Sequence, residues 1–251
     1  MRHLNDNWEF SVLGIYNYRL PGKLDFYLKY IKENHKTISG DLIESGVFRG
    51  ASLISIAMYL KEIGSDKKVF GYDSFSGFPP IYDEKDNISE FEKMFLEKRI
   101  SKKHFEDVHK SLEYRKILQK NNDEVKDLSS SLDFSQTSLE LIQKKIEYLE
   151  LDNIVIVDGA FSETMSSNSK SPEQIFGGII DSDLYGSYLT TLEFVWPRSV
   201  SGALFYLDEY YSLKFPGARR ACDEFMSNHK GEFLMNEPIP GDFERWYLKK
   251  N

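Results

Sequence analysis

Two pairs of acidic residues carry the strongest chemical signal in this sequence. Asp181 and Asp183 follow one short apolar run, and Asp208 and Glu209 follow another. Carboxylates that converge from neighbouring strand ends repel one another unless a proton or a hard cation lies among them. Oxygen ligands of this kind suit magnesium, manganese or calcium. The two pairs therefore predict a site for a divalent cation.

A glycine-containing turn that follows an acid gives the second signal. Residues 40–52 are typical of a strand that ends at Glu44, a turn with Gly46 and Gly50, and a helix that begins near Ser52. The glycines let the backbone approach a ligand, and the start of a helix offers free N–H groups. A dinucleotide site normally has the turn G-x-G-x-x-G, which is absent here. Because Glu44 precedes the turn, it can accept a hydrogen bond from an amino group, which favours an amino-acid-bearing cofactor.

The next predicted strand also ends at an acid. Asp73 and Ser74 follow the run Val69 to Tyr72. In doubly wound folds, a carboxylate at this position can accept hydrogen bonds from both hydroxyls of a ribose. Alternatively, Asp73 only caps the turn that follows it. The first interpretation places an adenosine beside the turn at Gly46.

A third strand end repeats the pattern with an acid, a glycine and an aromatic residue. Asp158, Gly159, Phe161 and Ser162 follow the apolar run 154–157. Asp158 and Ser162 are polar enough to border an adenine, whereas Phe161 is equally compatible with a place in the core. We therefore expect the adenine end of a cofactor near this segment.

Five short apolar runs predict the strands that position these residues. They lack polar alternation, as buried parallel strands do when both faces are covered. Helical patterns at 51–63, 188–196 and 217–227 lie between or after them, and Pro197 is expected to end the second. Alternating strands and helices imply right-handed crossovers and a parallel sheet. The predicted strands are Leu42-Ile43, Val69 to Tyr72, Asn153 to Val157, Gly178 to Ile180 and Ala203 to Leu207.

Two more runs, 232–238 and 243–249, flank a turn that contains Pro240-Gly241. They predict a terminal antiparallel hairpin at the sheet edge. The sequence thus predicts an α/β fold: a doubly wound, Rossmann-like, mostly parallel seven-stranded sheet with a C-terminal antiparallel hairpin.

Residues 81–150 are rich in Lys, Glu, Asp and Ser and contain no strand-like run. The segment is too long for a simple crossover. Spacing predicts helices at 91–105 and 137–149, with a polar, mobile connection at 121–131. We expect a helical cap or lid inserted in a single domain that spans 1–251. The alternative is a surface excursion that plays no part in binding.

Composition limits the remaining possibilities. The 251 residues include 41% hydrophobic and 14% aromatic residues, enough for one elaborated α/β domain. A formal net charge of -8 argues against a nucleic-acid partner. The polar N-terminus and the lack of a long apolar window predict a cytoplasmic protein without a membrane partner. The lone Cys222 is expected to be buried, and it excludes an internal disulfide or a thiolate metal cluster.

These motifs occur in a fixed order: Glu44 to Ser52, Asp73-Ser74-Phe75 with Gly77 and Pro79, Gly159-x-Phe161 with Thr164, Asp181-x-Asp183-Leu184-Tyr185, and Asp208-Glu209-Tyr210. As an ordered set they resemble the macrocin O-methyltransferase family of S-adenosylmethionine-dependent enzymes, which methylate sugar hydroxyls in antibiotic biosynthesis. The resemblance runs from about Gly40 to Phe225 and is poor from Ile81 to about Leu132.

The resemblance implies an S-adenosylmethionine site bordered by Glu44, Gly46, Ser52 and Asp73. It also implies a Mg²⁺ or Mn²⁺ ion held by Asp181, Asp208 and Glu209, and a sugar-containing small-molecule acceptor. Two positions depart from the family pattern. Asp208-Glu209 stands where two aspartates are usual, and Gly50-Ala51-Ser52 stands where a second glycine is more frequent. We further expect a homo-oligomer, either a dimer or a tetramer.

Methyl transfer to a hydroxyl requires an aligned acceptor oxygen and loss of its proton. A bound cation orients the oxygen and lowers its pKa. The candidate catalytic residues are Asp181 and two histidines of the insertion, His104 and His109, as proton acceptors. Lone histidines in a polar helix are more often plain surface residues.

Three other functions fit part of the pattern. A nicotinamide-dependent dehydrogenase fits the sheet but neither the missing glycine turn nor the acids at the strand ends. A noncatalytic binding subunit leaves the concentration of acids unexplained. A metal-dependent catechol-type O-methyltransferase differs mainly in its acceptor, because a flat catechol needs an aromatic slot and a sugar needs a roomy polar cap.

Overall fold

The computed structural model describes residues 1–118, 124–165, 171–236 and 241–251. These residues form a sheet with helices on both faces. The strands are β1 (Asp41–Ser45), β2 (Val69–Asp73), β3 (Ile154–Asp158), β4 (Ile175–Ile180), β5 (Ser199–Leu207), β6 (Gly231–Asn236) and β7 (Arg245–Lys250). The α-helices are α1 (Asn7–Leu13), α2 (Asp25–Asn34), α3 (Ala51–Glu62), α4 (Glu90–Leu96), α5 (Lys102–Leu118), α6 (Leu139–Tyr148), α7 (Phe161–Thr164), α8 (Tyr185–Arg198) and α9 (Pro216–Met226).

The seven strands follow the spatial order β3-β2-β1-β4-β5-β7-β6. Strands β1 to β5 pair in parallel, while β7 runs antiparallel to both β5 and β6. The predicted doubly wound sheet with an antiparallel terminal hairpin is therefore confirmed. The segment Ile239-Pro240 of the predicted hairpin turn lies outside the described residues.

Two hydrophobic layers cover the sheet, one on each face. Leu42 and Leu204 belong to the first layer, and their neighbours Ile43 and Phe205 belong to the second. Successive strand side chains point to opposite faces, so both must be apolar when both faces are covered. This is why the strands appear in the sequence as continuous apolar runs.

One predicted helix boundary is wrong. Helix α8 begins at Tyr185 and continues through Pro197 to Arg198, so the proline does not end it. Proline lacks an N–H and leaves the carbonyl four residues earlier without its helical donor. That carbonyl belongs to Glu193, which is exposed, so water can supply the missing hydrogen bond.

The predicted helix at 91–105 is also wrong in detail. It is divided into α4 and α5, and Lys98 between them has a φ of 60°. This left-handed backbone conformation interrupts a helix. Polar spacing alone did not predict the break.

Only part of the predicted cap, 81–150, packs apart from the main core. Helix α6 packs Ile142 into the first hydrophobic layer, as an ordinary crossover helix does. The preceding residues form two small clusters, one around Phe91 and Met94 and the other around Val125 and Leu128. The latter two residues are buried, so the expected polar connection at 121–131 is packed from Val125 onward; residues 119–123 lie outside the described range.

Polar contacts attach this predicted cap to the helices that follow the acidic pairs. The guanidinium of Arg220 in α9 contacts Glu90 and Glu97 of the cap, and the Nε of Arg220 lies 2.6 Å from Glu90 Oε1. Asp86 Oδ1 accepts a hydrogen bond from the backbone N–H of Tyr185 at 2.7 Å, at the first residue of α8.

None of the helices in the described ranges is both long enough and apolar enough to cross a membrane.

Candidate functional site

The predicted cofactor turn and the first acidic pair meet where β1 and β4 lie side by side. Connections from these two strands lead to opposite sides, and such a switch point is where open α/β sheets bind ligands. Gly46 has a φ of 85°, and a Cβ there would lie 1.7 Å from the carbonyl oxygen of Asp181. Only glycine fits this position. Gly50, with a φ of 77°, is the N-cap of α3.

Glu44 is a wholly buried carboxyl group at the end of β1. Its Oε1 accepts a hydrogen bond from Ser52 Oγ at 2.6 Å. Its Oε2 has no hydrogen-bond partner among the described residues. Burial raises the pKa of Glu44 to about 8, although the Ser52 hydrogen bond acts in the opposite direction. A buried acceptor without a partner is costly, so this oxygen is suited to a ligand that carries a donor.

Asp73 is half-buried at the end of β2, and both its oxygens contact backbone. Oδ2 accepts the N–H of Phe48 at 2.8 Å, and Oδ1 accepts the N–H of Phe75 at 2.7 Å. The turn-capping interpretation is thus present in the structure. Each carboxylate oxygen has a second lone pair, so the geometry also leaves acceptors for ribose hydroxyls. Ser74 Oγ contacts the Gly77 carbonyl and Ser76 in the same turn.

The β3 segment lies beside Asp73. Asp158 is exposed and pairs in register with Asp73, and the N–H of Gly159 donates to the Asp73 carbonyl at 3.0 Å. Phe161 packs partly against the second hydrophobic layer, and Ser162 is exposed. The structure therefore brings these four residues to the end of β2, where Phe161 packs partly against the core.

Asp181, Asp208 and Glu209 form a group that we call the acid trio. One carboxylate oxygen from each lies within 4.8 Å of the others. The backbone fixes this arrangement, because the Asp181 N–H donates to the Ser45 carbonyl and the Asp208 N–H to the Ile180 carbonyl, each at 3.0 Å. Three carboxylate oxygens at this spacing form a donor set for a hard divalent cation.

The three acids of the trio have different pKa values, because each feels burial and the neighbouring charges differently. Burial and the Asp208 carboxylate raise the pKa of Asp181 to about 6. Burial and the Asp181 carboxylate also raise the pKa of Glu209 well above its ordinary value. Burial alone would raise the pKa of Asp208 too, but the ammonium group of Lys23 holds it at about 2.

Lys23 is a residue of this site that the sequence did not reveal. Its Nζ lies 3.0 Å from Asp208 Oδ1 and 3.9 Å from Asp181 Oδ2. Burial lowers the pKa of Lys23, but the two carboxylates more than offset it and raise the pKa well above its ordinary value. A lysine in a loop far from the acids along the chain carries no local signal for this pairing.

Two further groups complete the acidic end of the sheet. Asp183 is buried with a φ of 58°, and burial and the Asp181 carboxylate raise its pKa well above the ordinary value. The Tyr188 hydroxyl lies 2.7 Å from Glu209 Oε2 and accepts the N–H of Glu209 at 3.1 Å. The sequence predicted Tyr188 only as a helix residue. Its position in α8 brings its hydroxyl next to Glu209.

The two candidate histidines occupy different faces of α5. His104 is buried, its Nε2 donates to the Ser212 carbonyl at 2.7 Å, and its ring stacks on Tyr211. Burial lowers the pKa of His104. His109 is exposed and packs its ring against Phe105. The contacts that hold these histidines are therefore with α4, α5 and the loop after β5, not with the acid trio.

The family model of the Macrocin-O-methyltransferase (TylF) family matches residues 23–119 and 103–239. A curated relative from Streptomyces olivaceus, 8-demethyl-8-(2,3-dimethoxy-alpha-L-rhamnosyl)-tetracenomycin-C 4′-O-methyltransferase, is 23% identical over 205 residues. The match covers 80% of this chain and 62% of that protein. This chain thus spans less than two thirds of the length of that relative.

Solved structures share the fold. The O-methyltransferase NovP superposes with a TM-score of 0.60 at 22% identity, over 89% of this chain and 79% of NovP. CalS11, described as a calicheamicin methyltransferase, superposes with a TM-score of 0.58 at 17% identity, over 97% of this chain and 80% of CalS11.

The strand order and the glycine turn at the switch point define a Rossmann-like α/β protein, the fold that these solved structures share. Within that class, the chain belongs to the macrocin O-methyltransferase family, whose model spans most of its length.

Proposed function

We propose that this protein transfers the methyl group of S-adenosylmethionine to a hydroxyl of a sugar-containing small molecule. The observation that carries the proposal is the close approach of two sites at the switch point, where Gly46 of the cofactor turn contacts Asp181 of the acid trio. Family membership supports the reaction type. The name of the Streptomyces olivaceus relative, a methyltransferase of a rhamnosyl group, supports a sugar acceptor.

The cofactor site is built from the ends of β1, β2 and β3. Glu44, with its unpartnered buried oxygen, fits the amino group of the methionine moiety, and Ser52 holds its carboxyl group in place. Gly46 and Gly50 let the backbone approach the ligand, and Asp73 with Ser74 faces the ribose. The residues that border the adenine are Asp158, Gly159, Phe161 and Ser162. S-adenosylmethionine supplies an electrophilic methyl group on sulfur at this site.

The acid trio would hold Mg²⁺ or Mn²⁺. Its donors are all carboxylate oxygens, which such hard cations prefer, and no softer ligand is among them. A divalent cation bound here would act as a Lewis acid toward the acceptor hydroxyl. In this proposal Asp181 is both a ligand and the trio member nearest the cofactor turn, so it orients the acceptor between the two sites.

The remaining task of the chain is to remove a proton and exclude water. The buried carboxyl groups beside Asp181 are better placed for the proton than His104, whose Nε2–H already donates to a carbonyl, or His109 on the exposed face of α5. Substitution of each histidine by glutamine separates the two possibilities. Activity that survives both changes assigns the proton transfer to the acids.

The cap and the N-terminal segment have further proposed roles. The cap is attached to α8 and α9, the helices that follow the acid trio, and is placed to enclose a bulky polar acceptor. Trp8 and Val12 of α1 expose 64% and 77% of their surface. In this proposal the expected homo-oligomer buries these two side chains, which lie one turn apart on α1, at its interface.

The acceptor class is tested with methyl-labelled S-adenosylmethionine, Mg²⁺ and a panel of nucleotide-linked sugars and rhamnosyl glycosides, with catechol as the competing acceptor. Label should enter a sugar-bearing product and not catechol. Label in catechol alone would replace the sugar assignment with the catechol-type alternative. Failure to bind S-adenosylhomocysteine in calorimetry at tens of micromolar protein would overturn the methyltransferase proposal itself.

A further inference from the structure

The ammonium group of Lys23 lies beside two carboxylates of the acid trio. Its Nζ is within hydrogen-bond distance of Asp208 Oδ1 and within ion-pair distance of Asp181 Oδ2. The Lys23 side chain is 23% exposed, so the pair is largely shielded from solvent screening. The ammonium therefore uses carboxylates that a divalent cation would also need.

Hydrogen bonds on both sides of Lys23 fix its backbone. Just before it, the N–H of Gly22 donates to Asp25 Oδ1 at 2.9 Å, and just after it α2 begins, with the Leu28 N–H bonded to the Leu24 carbonyl at 2.8 Å. Lysine has a flexible four-carbon stem. In this same position Nζ lies over the Tyr16 ring, 5.2 Å from its centroid, so an aromatic face is within reach of an ammonium that moves off the carboxylates.

Two cations cannot share the trio without cost. A divalent ion bound to the three carboxylates would lie next to Nζ, and like charges at such separation in a partly buried site repel strongly. Conversely, buried carboxylates that lack any cation are strongly destabilising. Each of the two occupants thus satisfies the same need and excludes the other.

We propose that Lys23 is a resident counter-ion of the metal site: its ammonium pairs with Asp208 and Asp181 while no metal is bound and leaves them when a divalent cation enters. This inference rests on the proposed metal site. It gives the trio a lower metal affinity than three bare carboxylates would have, and it makes metal binding exchange one cation for another.

The test compares Mn²⁺ binding, measured by electron paramagnetic resonance of free Mn²⁺, in four proteins without any acceptor. Lys23→Met removes the charge and keeps the stem, and Lys23→Arg keeps the charge. Lys61→Met is the matched control, because it removes the same charge from the surface pair of Lys61 with Asp152. Lys23→Met should bind Mn²⁺ roughly tenfold or more tightly than wild type, as the removal of an adjacent unit charge implies. The other two variants should bind like wild type.

A second measurement needs no variant and covers the case in which Lys23→Met does not fold. Wild-type protein is labelled with an amine-reactive reagent, and the modification rate of Lys23 is read by mass spectrometry with and without Mg²⁺. The rate should rise when Mg²⁺ is present, because the ammonium leaves its carboxylate partners, whereas the rate at Lys61 should not change.

The outcomes separate the two proposals. Equal or weaker Mn²⁺ binding by folded Lys23→Met, or unchanged Lys23 labelling while metal binds, overturns the counter-ion role and leaves the metal site standing. If wild type and all variants fold but bind no Mn²⁺, the metal site fails and the counter-ion role fails with it.

Discussion

The carboxyl groups at the edge of the sheet fall into two halves, which are stabilised in different ways. Glu44 and Asp73 form the cofactor half, and Asp181, Asp208 and Glu209 form the acidic half. On the cofactor half, neutral donors hold each acid: Ser52 for Glu44, and two backbone N–H groups for Asp73. On the acidic half, Asp181, Asp208 and Glu209 crowd together.

The acidic half depends on an ammonium group and on tyrosine hydroxyls. Lys23 pairs with Asp208, and the Tyr188 hydroxyl contacts Glu209. The hydrogen bonds of the cofactor half are therefore formed in the protein alone, whereas the acidic half, in our proposal, responds to whichever cation is present.

The largest effect that would sharpen this comparison is expected for Asp208→Asn. The change keeps the shape and removes one charge from the trio. We expect turnover to fall on the order of 100-fold and to respond poorly to added Mg²⁺, with S-adenosylhomocysteine affinity unchanged. Steady-state kinetics and calorimetry measure both, and Asp152→Asn, in an exposed surface pair, is the control. Full activity in excess chelator, together with a nearly silent Asp208→Asn, would mean that the acids are structural.

Glu44→Gln should produce the opposite pattern, weaker cofactor binding with the metal site intact. Below its pKa of about 8, Glu44 is mostly protonated in the free protein. An amino group of the cofactor favours the ionised carboxylate, so binding near pH 6.5 should release close to one proton. Cofactor affinity should therefore increase by up to about tenfold for each unit by which the pH rises toward 8.

Calorimetry in two buffers of different ionisation enthalpy counts this proton. In Glu44→Gln the released proton should disappear and affinity should fall roughly tenfold or more. Glu140→Gln, on the exposed face of α6, should retain both properties of wild type. Proton release that persists in Glu44→Gln would assign the titrating group elsewhere.

The sheet and the acids at its edge were predictable because their signals are local. A strand covered on both faces must be apolar throughout, and Asp73, Asp181 and Asp208 each come directly after such a run. Parallel strands bring these ends to one edge, so the convergence of the acids follows from the pattern alone.

The partners of the acids were not predictable in the same way. Lys23 reaches Asp208 only because α2 packs beside the sheet, and no periodicity links the two residues. His104 is a different case, since it lies four residues before the buried Val108 and shares its helix face. That spacing indicates a buried histidine, and it distinguishes His104 from the exposed His109 without a structure.

Tyr188→Phe should have a smaller effect, confined to the acidic half. The change leaves the buried N–H of Glu209 without its acceptor and frees the Glu209 carboxyl to turn. We expect Mn²⁺ affinity to fall roughly tenfold, as when a group that orients a metal ligand is lost. The free energy of unfolding should fall by about 1–3 kcal/mol.

Two other tyrosines are matched controls for this prediction. The Tyr185 hydroxyl donates to Glu224 at 2.7 Å and the Tyr210 hydroxyl to Asp223 at 2.8 Å, both in α9 and away from the trio. Their replacement by Phe should leave Mn²⁺ affinity unchanged. Equal losses in all three variants would indicate a general packing effect and not orientation of Glu209.

The smallest expected effect concerns the pH dependence of stability on the cofactor half. Burial raises the pKa of Glu44 from the ordinary 4.5 to about 8, so the folded protein without ligand binds a proton more tightly than the unfolded chain. The contribution of Glu44 to stability is then fully present below about pH 4.5 and is lost as the pH rises to about 8. Glutamine does not titrate. The Tm of Glu44→Gln minus the Tm of wild type should therefore increase by a few degrees as the pH rises from 5.5 to 8. Asp181 and Glu209 also have raised pKa values, but they act equally in both proteins and cancel in the difference.

Scanning calorimetry of the two proteins at matched pH measures that difference. A Tm difference that stays constant across this range would mean that Glu44 is ionised in the folded protein without ligand, and the cofactor half would then carry a buried charge as the acidic half does.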